Sequence, residues 1–256
     1  MKGMRIWSLS DVHLSISKPD KQMDVFGEPW VGYLEKILRR WNETVQEEDL
    51  VLIAGDITWA RTLDEAAIDL QWIGELPGTK VLIRGNHDSW FHSILKVRAI
   101  LPPSVAAIHL DAIDFNSASI AGSRLWEDPS INYSRYIILR DTFGINVHKK
   151  PDSLQEKLKD KKIFQSELER LEMSLKKLNR SLPVRICMVH YPPTGPEHAD
   201  TEVTRLFEDY GVTHVVYGHL HNLSTDAPVN FTKNNIRYIF TAADYLNFKP
   251  VLVMEL

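Results

Sequence analysis

Seven side chains with the chemistry of metal ligands stand in five short motifs: Asp11-Val12-His13, Gly55-Asp56, Gly85-Asn86-His87-Asp88, His190 and Gly218-His219-Leu220-His221. Asp11, His13, Asp56, Asn86, His190, His219 and His221 form a mixed oxygen and nitrogen donor set suited to hard-to-borderline divalent ions. Seven donors exceed what one ion needs. Two cations about 3.5–4 Å apart, bridged by a carboxylate, would use them all and leave positions open for water and substrate. The intervening residue in Asp-x-His and His-x-His matters because residues two apart on an extended segment point the same way. Taken singly, each motif has an ordinary reading as a chance pair, a hydrogen-bonded polar residue or a turn. Their positions in the chain argue for more.

Each motif directly follows a segment that reads as a buried strand, and open α/β sheets hold ligands at such carboxyl edges. The apolar runs 4–10, 50–54, 80–84, 184–189 and 213–217 end at Asp11, Gly55, Gly85, His190 and Gly218 respectively. Further strands are predicted over 106–110 and 117–121, in a second sheet or at an edge, and over 236–242 and 251–255. Helical spacing of Val31, Leu34, Ile37, Leu38, Trp41 and Val45 predicts a helix over 31–46, and further helices are expected over 63–75 and 201–210. A charged helix over 159–182 carries Ile163, Leu168, Leu171, Leu175 and Leu178 on one stripe, which suits packing on the domain better than a partner-binding coil. Residues 122–151 are irregular and hold Arg124, Trp126, Arg135, Tyr136, Arg140 and His148; with the following helix, 122–182 reads as a lid or insertion. No linker interrupts the chain, so 1–256 is expected to be one domain.

With 256 residues, 44% of them hydrophobic, the chain can fill a substantial core. Thirty basic and 34 acidic side chains leave a formal charge of −4, no footprint for nucleic acid or an anionic membrane. Cys187, in the run VRICMVH, is the single cysteine; it excludes an internal disulfide and reads as an inert core thiol in a reducing compartment. The stretch MKGMRIWSLSDVH lacks the apolar run of a signal peptide, and no segment approaches the ~20 apolar residues of a membrane span. A cytoplasmic protein is expected.

The motif series resembles the calcineurin-like metallophosphoesterases, from residue 5 to about residue 245, with 122–182 matching no motif. Gly-Asn-His-Asp with Gly-His-x-His is closer to the bacterial phosphodiesterase branch than to the protein serine/threonine phosphatases. The resemblance implies an α/β four-layer α-β-β-α sandwich of two mixed β-sheets flanked by helices. It further implies one metal held by Asp11, His13, Asp56 and His221, and a second by Asp56, Asn86, His190 and His219. His87 matches the general acid, with Asp88 holding its imidazole by a hydrogen bond. Manganese, iron, cobalt and zinc all accept such ligands.

The implied reaction is hydrolysis of a phosphodiester or small phosphate ester. A metal-bridging hydroxide attacks phosphorus in line, and His87 protonates the leaving alkoxide. Monoesters carry more charge than diesters and ask for more cationic contacts; Arg124, Arg135, Arg140, Lys149 and Lys150 are the candidates, while Trp59, Trp90, Trp126 and Tyr191 could stack on a substrate ring or simply pack. Alternative readings are a protein serine/threonine-type phosphomonoesterase, a nuclease, or a non-catalytic scaffold on the same fold.

Overall fold

The structure, a computed structural model, describes residues 3–21, 23–138 and 154–256. Apolar runs too long to alternate form strands buried on both faces. Strand β2 (Leu50–Ile53) and strand β7 (Val184–Val189) are the clearest cases. In β2, Val51 and Ile53 face one hydrophobic cluster while Leu50 and Leu52 face another; in β7, Cys187 and Val189 divide in the same way from Ile186 and Met188.

The first sheet has the order β11-β1-β2-β3-β4. Its strands are β1 (Arg5–Ser8), β2, β3 (Thr79–Leu82), β4 (Val105–Ala107) and β11 (Val251–Glu255). Strands β1 to β4 run parallel, and β11 returns antiparallel beside β1. The second sheet has the order β5-β6-β7-β8-β10-β9. It comprises β5 (Ala112–Phe115), β6 (Ala118–Ser123), β7, β8 (His214–Tyr217), β9 (Phe231–Lys233) and β10 (Ile236–Phe240). Its central strands are parallel and its two outer pairs antiparallel.

Three hydrophobic layers separate these elements. Ile6, Leu52 and Ile83 meet Ile120, Met188 and Val216 between the sheets. Helices α1 (Tyr33–Thr44), α2 (Leu63–Glu75) and α3 (Ile94–Ile100) cover the outside of the first sheet through Ile37, Trp41, Leu70, Ile73 and Val97. On the outside of the second lie α4 (Leu154–Leu175) and α5 (Glu202–Asp209), through Leu168, Leu171, Leu175, Val203 and Phe207. Two mixed sheets flanked by helices is the expected fold class. The leucine stripe of α4 is spent on this packing.

Some elements differ from expectation. Strands β5 and β9 and helix α3 are additions, each too short to show periodicity. Strand β4 lies at the edge of the first sheet, whereas β6 lies inside the second. Helix α4 runs Leu154–Leu175 rather than 159–182; past its end the backbone closes in tighter turns, Lys177 N–H donating to Ser174 O and Leu178 N–H to Leu175 O.

At the carboxyl ends of the parallel strands the two sheets are tied together. Ser10 N–H donates to Thr241 O (2.8 Å), the Ser10 and Thr241 hydroxyls meet at 2.8 Å, and Ala54 N–H donates to Ser10 Oγ (2.7 Å). This junction brings the turns after β1 and β2 against those after β8 and β10.

Candidate metal centre

The turns at this junction adopt backbone that most side chains avoid. Asp11, His13, Asp56 and His219 have φ of 56°, 44°, 51° and 75°. Left-handed non-glycine residues cost of order 1–3 kcal/mol each and persist where surrounding structure fixes them. Here cross-strand bonds fix them: Asp11 N–H donates to Gly55 O and His13 N–H to Asp56 O, both at 3.0 Å. The glycines of two motifs are required by close approach. A Cβ on Gly85 would lie 2.1 Å from Asp56 Oδ1, and one on Gly218 would lie 1.9 Å from Asp11 Oδ2.

The seven sequence-derived donors come together. Asn86 Oδ1 lies 2.7 Å from His190 Nε2 and 3.0 Å from His219 Nδ1, and those two nitrogens are 3.3 Å apart. Donors at right angles around an ion at ~2.1 Å sit about 3 Å apart, so this triangle has the dimensions of one face of a coordination shell. On the other side, His13 Nε2 and His221 Nε2 face each other at 3.1 Å, with Asp11 Oδ1 3.9 Å from the latter. Asp56 Oδ2 stands between, 3.7 Å from His13 Nε2 and 3.4 Å from His190 Nε2. Two groups emerge that could each hold an ion: Asp11, His13 and His221, and Asp56, His190 and His219.

Electrostatics support the same fit. Burial alone would lower His190 and His221, but Asp56 and Asp11 around the first, and Asp244 and Asp11 around the second, outweigh it and set both at about 9. Burial raises Asp11 to about 7, against the opposing pull of His190 and His221. Asp56 is held well below the carboxylate range, because His190, His13 and His87 together overcome its burial. His13, unlike His190 and His221, is lowered well below its ordinary value, mainly by burial. These surroundings favour positive charge, and without an ion a proton on His190 or His221 meets that demand.

Orientation comes from a second ring of contacts. His190 Nδ1 lies 2.9 Å from Ala54 O, a carbonyl that can only accept, so Nδ1 carries the proton and Nε2 faces the donors. His221 Nδ1 is 3.0 Å from Asp244 Oδ1, whose other oxygen accepts from Asn222 N–H at 2.8 Å. Sequence reasoning missed Asp244. The available signal was its place four residues beyond β10, another carboxylate at a strand's carboxyl end. Trp30 and Trp59 wall the site. Trp59 stacks on His13 at 5.1 Å between centroids and lies 4.6 Å from the His87 ring.

His87 is partly exposed beside these groups, its Nε2 3.9 Å from Asp56 Oδ2. Asp88 follows His87 directly in the turn beyond β3. Its carboxylate is fully buried and accepts from the N–H groups of Ile57 (3.0 Å), Thr58 (3.2 Å) and Gly85 (2.7 Å) and from Trp90 Nε1–H (3.2 Å). Its oxygens pin the turns after β2 and β3 together. Burial, then the charge of Asp56, raise Asp88 to about 6 against these donors.

The expected substrate contacts divide. Arg124 pairs with Glu167 at 2.6 Å and lies over Trp126, and Arg135 is exposed with Glu197 3.5 Å away. Trp90 is buried packing, while Tyr191 packs against His219 with ring centroids 3.9 Å apart and the planes tilted by 36°. Arg140, His148, Lys149 and Lys150 lie outside the described residues.

Two sheets face to face, with paired nitrogen and oxygen donor sets at their shared carboxyl edge, define a class of metal-centred hydrolase sites. The calcineurin-like phosphoesterase family matches residues 4–223, and the chain belongs to that metal-dependent family. Over 84 residues it is 38% identical to the Gene 66 protein of Mycobacterium phage D29, a match spanning 32% of this chain and 40% of that relative. Among solved structures it is similar to AQ665 of Aquifex aeolicus, a protein of unknown function (15% identity, 97% of this chain and 95% of that one, TM-score 0.47). Phosphopantetheinyl hydrolase PptH from Mycobacterium tuberculosis is similar too (14%, 99% and 97%, 0.46), as is TT1561 of Thermus thermophilus (11%, 98% and 98%, 0.48).

Proposed function

We propose that the protein is a dinuclear-metal phosphohydrolase acting on a phosphodiester or small phosphate ester, with residues 1–256 working as one domain in the cytoplasm. One cation is held by Asp11, His13, Asp56 and His221, the other by Asp56, Asn86, His190 and His219. The observation that carries this reading is Asp56 Oδ2, within 3.7 Å of both His13 Nε2 and His190 Nε2. Bound there, two divalent cations supply charge neutralisation at the phosphoryl oxygens and acidify water toward neutrality. The chain's residues do the rest. Asp56 stays ionised between the two donor groups, and Ala54 O and Asp244 hold the rings of His190 and His221 in line. His87, partly exposed at the mouth, holds the proton a leaving alkoxide needs.

A monoanionic diester is favoured because Arg135 turns to Glu197 and is not spare for a second negative charge on the scissile phosphate. Cys187 is buried, with its thiol pushed above its ordinary range, as an inert core residue should be. Among the described residues no helix is long and apolar enough to cross a membrane.

The test is to strip the protein with a chelator, restore manganese, and assay a chromogenic diester beside the matching monoester. Metal-dependent hydrolysis with faster diester turnover is expected. A strong monoester preference overturns the diester assignment. No hydrolysis with any added ion overturns the enzyme reading in favour of a scaffold.

A further inference from the structure

One strand outward from the candidate metal centre, along the same carboxyl edge, lies a small open recess. Residues after β3 (Arg84), β4 (His109) and β6 (Arg124) line it, together with Glu167 and Arg170 from α4. Its charge is unbalanced. Glu167, 3% exposed, is shared by Arg124 (2.6 Å) and Arg170 (2.7 Å) and accepts from Ser123 Oγ at 3.3 Å. One carboxylate thus answers two guanidinium groups, and Arg84 adds a third. Among the described residues Arg84 makes no side-chain hydrogen bond or ion pair, and the buried Nε atoms of both Arg84 and Arg124 have no acceptor.

Neighbouring carboxylates are committed elsewhere. Asp111 pairs with Arg98 and accepts from His109 N–H, and Asp88 is saturated by its four donors. A buried guanidinium is costly unless an anion meets it, and its planar fork of donors suits a tetrahedral oxyanion.

We infer that this recess is an oxyanion site, in which Arg84, Arg124 and Arg170 take a phosphate-type group beside the metal centre. The group is either a free anion or a second anionic group of the substrate; the latter source rests on the hydrolase reading above, while binding itself does not.

The test uses the full chain, metal-free, titrated with inorganic phosphate at an ionic strength held constant with chloride. Melting temperature and calorimetry are the readouts. Phosphate is expected to raise the melting temperature of the wild type. Arg84→Met should weaken binding about ten-fold or more, as loss of a charged hydrogen bond predicts. It should leave the anion-free melting temperature unchanged or higher, since it removes a half-buried guanidinium whose Nε has no acceptor. His221→Ala should leave the phosphate response intact. The proposal is overturned if Arg84→Met keeps the full response, or if His221→Ala abolishes it, which would place the anion among the imidazoles. Should Arg84→Met fail to fold, Arg170→Gln at the more exposed rim must still weaken phosphate binding, and an unchanged affinity overturns the proposal. On the manganese-loaded enzyme, a KM raised by Arg84→Met only for an ester bearing a second phosphate assigns the site to substrate. Equal KM values for both esters assign it to a free anion.

Discussion

His87 and Asp88 are adjacent in the chain and differ sharply in burial. His87 reaches the mouth of the site while Asp88 is buried beneath it. Replacing His87 by alanine should lower turnover of an alkyl ester by about 100- to 10,000-fold. A nitrophenyl ester, whose leaving group needs little protonation, should be affected far less. Metal content, measured by elemental analysis, should not change, and its loss in His87→Ala would remove the acid role. Asp244 acts one bond further back by holding His221 through Nδ1. Asp244→Asn should reduce metal affinity about 10- to 100-fold, read in a chelator competition, with the fold retained. Unchanged affinity would mean that His221 needs no such support.

At the scale of elements, the site depends on strand ends being held in place from behind. Lys80 on β3 is fully buried, with its ammonium donating to Leu76 O (2.6 Å), Gly78 O (2.8 Å) and Gly74 O (3.3 Å) at the end of α2. Carbonyls at a helix carboxyl terminus lack partners in the helix and carry its negative dipole end, so the cation serves both needs. Lys80→Met leaves these carbonyls buried and unmet. It should cost about 2–3 kcal/mol in denaturant unfolding, scaled from hydrogen bonds to charged groups, and a neutral outcome would show that water replaces the ammonium. Helix α2 was legible to the residue, because Thr62 and Glu65 form a reciprocal cap and Pro77-Gly78 stop the run. Strands β5 and β9 were not. Each is three or four residues long and depends on a hairpin turn at Asn116 or Asn234-Asn235, where positive φ values of 49–62° are adopted.

Across the whole molecule, the sheets press acids and imidazoles together, so the metal-free protein should be sensitive to pH. His190 and His221 are raised to about 9, above an ordinary value near 6.5. Between those limits the folded state binds more protons than the unfolded one, so the stabilisation present below about 6.5 is lost as pH rises toward about 9. His13, driven the other way, exerts its effect below this window. The melting temperature of chelator-treated protein should therefore fall from pH 6.5 to 9, and bound divalent metal should flatten the slope. A metal-free protein equally stable at both ends of that range would contradict the clustering.

The residue types, their spacing and the strands before them were enough to name the α/β class, the family and seven side chains that the fold brings together, because each motif sits directly beyond a local apolar run. Local pattern could not give the order of the sheets. Nor could it place β11 beside β1, or Asp88 under the turns after β2 and β3. Those outcomes depend on contacts between residues far apart in the chain: the Ser10 and Thr241 junction, the four donors around Asp88 and the reach of Asp244 to His221. Only the packed fold brings such partners within bonding distance.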